Sequence, residues 1–393
     1  MTEDTKVNPA DKKVPLALKV FAVLSILVGG LTILIAAVSV FAVVDMFVKG
    51  TNIAQEMGLS QNALILTIFD ILARAALSVQ FVVFAIRILC NKRRGAAQQT
   101  IAMIVVAIIV VLFDMMIFGL HLAFYISSAV LLFLVVMHSY LDPSLAEERR
   151  LQRKLHAYED RADAEAGVLG RDKTGKGYIQ LNFFNIFWIF VVACFIGWCM
   201  EMAVCPFLNH RIEDRTGMLW GPFSPIYGFG AVLMVVALNG MYKKNPVFIY
   251  VTSAFIGAAF EFFVSYFFEN AFGIKAWDYS DAFCNFQGRT DLAHAFCWGL
   301  LGLMFVRYIL PWLLKVINKI PWNLRYSVTA ICFVLMLING GMTMLSFDCW
   351  FNRESGKPQD TPVAQFFADN FDNDFMAKHF PTMTMTPSSA TRS

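Results

Sequence analysis

Three observations predict an all-α, polytopic integral membrane protein. Hydrophobic residues make up 58% of the 393-residue chain and charged residues only 16%, with a mean hydropathy of +0.59, whereas a soluble domain carries about 25% charged residues. Apolar runs of the length a spanning helix needs, about 20 residues, recur along the chain and give about nine transmembrane helices. The basic residues fall mainly in alternate connections between those runs, as the positive-inside bias of membrane proteins requires. The net charge is only +3, and its basic residues sit in short clusters beside apolar spans. That distribution excludes a nucleic-acid-binding face.

Residues 1–15 are polar and lack a signal-peptide cleavage pattern, and the apolar run 16–48 far exceeds a signal-peptide core. It reads as the first span. The others are 63–90, 100–120, 122–141, 182–205, 222–242, 246–270, 292–314 and 325–347. The division between the third and fourth, at Gly119–His121, leaves almost no connection. Residues 1–141 thus form a four-span region with few intramembrane charges. Asp70 and Arg74 stand one helical turn apart and can pair, while Asp114 stands alone.

The linker 142–178 reads as a soluble, charged, cytoplasmic segment. Ser144 and Glu147 form a capping box, and Leu151, Leu155, Tyr158 and Ala162 follow at helical spacing. A membrane region at 182–314 and a final span at 325–347 come next. The tail 351–393 opens with Thr361-Pro362, a helix start, and places Phe367, Phe371 and Phe375 on one helix face. From Thr382 its Thr/Ser/Pro-rich composition predicts disorder.

Basic residues set the orientation. Lys6, Lys12 and Lys13, then Lys92, Arg93 and Arg94, then the 149–176 cluster, Lys243 and Lys244, and Lys315, Lys319 and Arg325 fall on one side. The N-terminus is therefore expected inside and the C-terminus outside. Trp220, Trp277 and Trp350 then lie near the outer boundary as an aromatic belt. The eight cysteines show no metal-ligand spacing. Cys90, Cys194, Cys199, Cys297 and Cys332 fall in or at the ends of spans and suit packing. Cys205, Cys284 and Cys349 fall in or beside outer loops, where free thiols or a disulfide both remain open.

The stretch from Gly197 to Gly230 is the most informative. It sets Glu201 on a lipid-suited helix, passes through His210, Arg211, Glu213, Asp214 and Arg215, and re-enters through Gly221-Pro222-Phe223-Ser224-Pro225 towards Gly228. An intramembrane carboxylate faces protein or a cavity. Backbone broken by Gly221, Pro222, Pro225 and Gly228 at that depth needs protein or water to satisfy it. The segment has a twin. Ile196-Gly197 with Glu201 matches Ile256-Gly257 with Glu261, Arg215-Thr216 matches Arg289-Thr290, and Trp220-Gly221 matches Trp298-Gly299. Two tandem hairpins running the same way follow, with Glu201 and Glu261 brought together and Arg215 and Arg289 as counter-charges. Asp278, Asp281 and Asn285 supply hard oxygen atoms for which a divalent cation is conceivable, though no ligand-spacing motif accompanies them, and a buried Arg–carboxylate lock between hairpins is the competing structural reading. No metal and no cofactor is assigned.

Residues 184–312 resemble the bacterial membrane family named putative ABC transporter permease, type IV. The resemblance rests on Ile196-Gly197-Trp198 with Glu201; Arg215-Thr216-Gly217; Gly221-Pro222-Phe223-Ser224-Pro225-Ile226-Tyr227-Gly228; Glu261; Trp277-Asp278-Tyr279-Ser280; Gly288-Arg289; and Trp298-Gly299. Thr216-Gly217 and Thr290-Asp291 depart from the pattern. The resemblance implies a bacterial plasma-membrane permease component and brings no catalytic residues. An ABC mechanism would need a separate ATPase, because the chain has no GxxxxGK[ST]. The 142–178 linker is the one expected cytoplasmic segment large enough to receive it. A non-catalytic envelope assembly or sensing protein with an envelope partner is the alternative. A membrane enzyme acting on lipid, with the outer Glu/Asp/Arg set doing acid–base work and His294 assisting, is a third; no hydrolase motif accompanies it.

Overall fold

The computed structural model describes residues 16–49, 60–90, 92–141, 156–172, 175–209, 214–321 and 324–392, and helices dominate it. Among the described residues, seven helices are long and apolar enough to cross a membrane by length and composition. Two further apolar helices, Leu122–His138 and Pro225–Met241, are shorter. All nine expected spans are thus apolar helices, but two of them are short. The chain divides into two compact units, Met1–His156 with Thr391–Ser393, and Ala157–Ala390.

The first unit contains α1 (Leu16–Val48), α2 (Gln61–Leu89), α3 (Arg93–Phe118) and α4 (Leu122–Leu141), each packed on its neighbour in sequence. Phe84, Ile88, Met103 and Leu134 are fully buried between them. Leu27, Leu31 and Val38 of α1 stay exposed, which suits a helix whose solvent is hydrocarbon. Where α1 meets α2, the Thr32 hydroxyl donates to Ser78 Oγ at 2.6 Å. The tight division after α3 is a true helix break, made at Gly119 with φ +68°, a conformation that costs glycine little.

One expectation for this unit is corrected. Asp114 is not alone. Arg74 donates through Nε to both oxygens of Asp70 (3.0 and 2.8 Å) and through Nη2 to Asp114 Oδ1. The spacing within α2 reveals the first pair, but only the packing of α3 on α2 brings Asp114, fully buried, to the same guanidinium.

The second unit begins within α5 (His156–Glu165), at Ala157, and this helix carries Tyr158 and Ala162. The proposed capping box Ser144–Glu147, with Leu151 and Leu155, lies outside the described residues. Two hairpins follow. α6 (Phe183–Asn209) packs on α7 (Pro225–Leu238), and α8 (Pro246–Phe272) packs on α9 (Leu292–Met304). After α9 the chain runs through a π turn, Phe305–Ile309, into α10 (Leu310–Ile317). Pro311 accounts for the turn, because it offers no N–H to the Arg307 carbonyl and its ring crowds that oxygen. Met234 and Leu238 of α7, Ile249 of α8, and Leu310, Leu313 and Ile317 form one buried apolar cluster shared by both hairpins.

α11 (Arg325–Glu354) completes the membrane helices, and α12 (Pro362–Asn370) and α13 (Asn373–His379) form the tail. Thr361 caps α12 as expected, its Oγ1 accepting from Ala364 N–H at 3.1 Å. The expected single phenylalanine stripe is divided, because Asp372 caps a new helix by accepting from Phe375 N–H at 2.7 Å. Phe367 and Phe380 are buried, the Phe380 ring tilted against Phe347 of α11 with ring centroids 4.9 Å apart. The disorder expected beyond Thr382 is also corrected. β2 (Thr384–Met385) pairs antiparallel with β1 (Ile274–Lys275), and Thr386 N–H donates to Gly273 O at 2.7 Å. Composition measures a segment's own capacity to bury apolar surface; it does not show that another segment offers an unpaired backbone edge. None of the eight cysteines, Cys205, Cys284 and Cys349 included, is joined in a disulfide.

Candidate functional site

The re-entrant loop is held by its own turns and by α11. His210, Arg211 and Glu213 lie outside the described residues. From Asp214 onward, Gly217 N–H donates to Phe223 O at 2.8 Å, and Thr216 Oγ1 lies 2.9 Å from Gly221 O and 3.2 Å from Phe223 O. Across from the loop, Asn339 donates through Nδ2 to Trp220 O (2.7 Å) and accepts at Oδ1 from Trp220 N–H (3.2 Å). Thr343, one turn further along α11, accepts from Leu219 N–H at 3.0 Å. His379 of α13 reaches Met218 O at 3.1 Å. Non-helical backbone within a membrane domain requires such partners. The four residues assigned to the backbone break divide into two groups. Gly221 (φ +76°) and Pro222 lie in the bend. Pro225 instead starts α7 at a position where no N–H is needed. Gly228 lies within α7, where a Cβ would collide with Cys194 and Phe190 of α6, so it permits close packing rather than a break.

The two carboxylates occupy equivalent places in the hairpins. Glu201, on α6, faces the hydroxyls of Tyr227 and Ser224 at the start of α7, with Arg215 as its cation within range. Glu261, on α8 and 5% exposed, accepts from Tyr279 Oη at 3.1 Å and from Thr290 Oγ1 at 2.9 Å, with His294 nearby. Tyr227 is common to both, since its phenol engages Glu201 and lies within electrostatic reach of Glu261 and of Tyr279.

One helical turn before each carboxylate, a glycine lies beneath an aromatic ring. A Cβ on Gly197 would enter the Tyr227 ring, and one on Gly257 would enter the Trp298 indole. This corrects the expected register of the repeat. Trp298-Gly299 corresponds to Tyr227-Gly228 in packing, not to Trp220-Gly221, which lies in the loop before α7. The Trp-Gly identity misleads because ring-on-glycine packing is served by either aromatic residue.

The remaining site candidates separate from this cluster. Arg289 is not the counter-charge of Glu261. It pairs with Glu269 at 2.5 Å, reaches Ser265 Oγ at 3.3 Å and lies over the Tyr266 ring. Arg215 stays near Glu201 and donates to Cys205 Sγ at 3.3 and 3.4 Å. Asp278 and Asp281 are exposed on the loop that joins α8 to α9. Asp278 pairs with Lys275 at 2.5 Å and accepts from the Ser280 hydroxyl at 2.6 Å, and these partners hold its carboxyl down at about 2. Asn285 binds within the same loop, donating to Ser280 O and accepting from Gly288 N–H, both at 3.0 Å. These groups build a turn.

Asp291 caps α9, accepting from His294 N–H at 2.9 Å, and meets His294 Nδ1 at 2.7 Å. Burial would raise its carboxyl, but the bonds from His294 outweigh that and hold it low. The His294 imidazole stacks on Tyr279, 4.1 Å between centroids. Burial, followed by the charge of Glu261, pushes the Tyr279 phenol up. Tyr227, Ser224, Tyr279, Thr290, Asn339 and Thr343 are the contacts that sequence reasoning does not assign. Only Asn339 and Thr343 carry a local signal, two polar residues one turn apart within the apolar stretch 330–345.

Beneath Tyr227 an apolar crevice of about 70 Å³ runs between α6, α7 and α9 and ends on the π turn. Gly197, Met200, Ala231, Met234, Leu301 and Phe305 are among its lining residues. Among the described residues, no group of three or more His, Cys, Asp or Glu side chains is placed to hold a metal ion.

Searches of curated proteins and of solved structures find no match. A family model does match, and its span fits this geometry, because it covers both hairpins and continues into α11 past Asn339 and Thr343. The segment 188–344 of this multi-pass membrane protein thus matches the family described as putative ABC-transporter type IV.

Proposed function

We propose that the chain is the membrane component of a transporter of the ABC-permease kind, with Glu201, Tyr227 and Glu261 as its polar site. The observation that carries this reading is the position of Tyr227. One phenol engages the carboxylate of its own hairpin and lies within reach of the carboxylate of the other. Sites at the junction of structural repeats, built beside interrupted helices, are a recurrent transporter arrangement. Energy from ATP would come from a separate subunit, since this chain has no phosphate-binding GxxxxGK[ST]. The charged segment 142–178 is the proposed dock. The basic-residue bias gives a plasma-membrane topology with the N-terminus inside.

The test is substitution with stability monitored in parallel. Glu201→Gln and Glu261→Gln, in the full chain, should remove the cellular phenotype while thermal stability in detergent stays near wild type. Retained function in the double variant would sink the site. Loss of stability and function in proportion would favour an assembly scaffold. Mild-detergent purification with mass spectrometry tests the partner, and an ATPase at equal stoichiometry is the expected result.

A further inference from the structure

The loop between α8 and α9 does not project beyond the helices it joins. Tyr279 Oη and Thr290 Oγ1 both bond Glu261, and the Phe286 ring lies 5.3 Å from that of Phe262. Phe262 stands well before the end of α8 at Phe272, about 15 Å along the axis at the rise of an α-helix. The loop therefore folds back beside the last turns of α8. The apolar segment Leu292–Ile317, long enough to cross a membrane, begins directly after Thr290 and Asp291. The loop thus lies at the level where that span starts. Its tip is apolar and is held outward. Phe283 is 81% exposed, more than any other large apolar side chain among the described residues, and Phe286 is 60% exposed. Each precedes a non-glycine residue in the left-handed region, Cys284 at φ +53° and Gln287 at φ +55°. Such backbone persists only where its surroundings impose it. Asn285 does so by donating to Ser280 O and Ala282 O and accepting from Gly288 N–H, while Phe286 N–H donates to Thr290 O.

We propose that the tip Asp281–Gln287 is a lipid anchor. Phe283 and Phe286 insert among the phospholipid acyl chains of the leaflet at that end of the helices, and the exposed Asp281 and Gln287 stay at headgroup level. The occupant follows from continuity. From α9 into the π turn, Leu292, Phe296, Leu300, Met304 and Tyr308 are exposed at four-residue spacing, an apolar stripe along a segment of spanning length. On α8, Phe263 is exposed beside Phe262, the residue against which Phe286 packs. One apolar surface therefore runs from the membrane helices onto the loop, and the solvent that covers the helices covers the tip. Side chains of this kind seat at the boundary between headgroups and acyl chains. The loop that brings Tyr279 and Thr290 to Glu261 is thereby tied to the bilayer.

The experiment places photoreactive benzoylphenylalanine, one position at a time, at Phe283, Phe286, Leu300 and Lys275 of the full chain in phosphatidylcholine nanodiscs. Mass spectrometry then reads phospholipid adducts. Leu300 represents the apolar stripe of α9, and Lys275, past the end of α8, represents the aqueous side. Adduct yields at Phe283 and Phe286 should match Leu300 and exceed Lys275 by about tenfold. Yields no higher than at Lys275 overturn the proposal. Crosslinking of the same two positions to a protein rather than to lipid in native membranes overturns it in favour of an envelope partner. The unsubstituted chain supplies a second measurement through Cys284, which is exposed between the two phenylalanines. In nanodiscs, which leave both faces open, it should react with an uncharged maleimide about tenfold faster than with a sulfonated one, since a charged reagent is excluded from the acyl boundary. Equal rates, with equal rates also in the denatured chain, count against the anchor. The anchor does not depend on the transport reading. Lipid adducts together with a phenotype retained in both glutamine variants would sink the transport site alone. Absent adducts together with a phenotype lost in those variants would sink the anchor alone.

Discussion

Asn339 pairs with the backbone of Trp220 in both directions, donating to its carbonyl at 2.7 Å and accepting from its N–H at 3.2 Å, across 119 residues of sequence. The last long helix therefore supplies the partners that the re-entrant loop needs. Replacing Asn339 with Leu leaves both backbone groups of the half-exposed Trp220 without that partner, which costs about 1–3 kcal/mol. Thermal unfolding in detergent should shift down clearly, and the loop at 214–224 should become sensitive to protease. An unchanged melting curve would mean the loop is held by its own turns alone.

The glycines one turn before the two carboxylates make a second prediction. Gly197→Ala and Gly257→Ala each force a methyl into an aromatic ring, Tyr227 and Trp298 respectively, and overpacking of this kind costs about 1–3 kcal/mol. Gly341 on α11 has open space where its Cβ would be, so Gly341→Ala should be neutral or stabilising by up to about 1 kcal/mol. Thermal melts of the three variants separate close packing from a general intolerance of larger residues. Equal behaviour of all three would refute the ring-on-glycine account.

In the first unit, Arg74→Leu should be far worse than its exposure implies. It leaves Asp70 and buried Asp114 without their shared cation, and stranding buried charge costs about 3–5 kcal/mol; the side chain of Arg74 is 40% exposed, which places the effect at the lower end. Adding Asp70→Asn and Asp114→Asn should restore yield and melting temperature, since the charges needing a partner are gone. Failure of the triple variant to recover would show that Arg74 acts through packing.

The loop between α8 and α9 has its own acid response. Asp278 titrates at about 2 in the fold against an ordinary value of 3.8. A depressed carboxyl contributes stability that is complete above its ordinary range and is lost as pH falls through the folded value. Order in the loop should therefore persist from neutral pH to about 4 and decline towards about 2. Because Asp278 is exposed, the effect is small, and difference melts of wild type against Asp278→Asn over that window measure it. Identical acid profiles for the two proteins would exclude Asp278 as the source.

Periodicity, composition and charge bias are properties of consecutive residues, so the sequence alone carries what depends on them. It yields the apolar helices, the tight break at Gly119, the Thr361 cap, the i,i+4 pairing of Asp70 with Arg74, and two hairpins each bearing a carboxylate after a glycine. The family resemblance at 184–312 likewise rests on residues in order, and the family model matches at 188–344. Contacts between distant segments do not follow from such patterns. Asp114 meets Arg74 because α3 packs on α2; Arg289 chooses Glu269 over Glu261; the tail pairs with β1; Asn339 and Thr343 satisfy the loop. The repeat shows the limit most clearly, because the letters align Trp298 with Trp220 while the fold aligns it with Tyr227. What tertiary structure preserves there is a flat ring lying on a bare Cα, a requirement of shape and distance that Tyr and Trp meet equally.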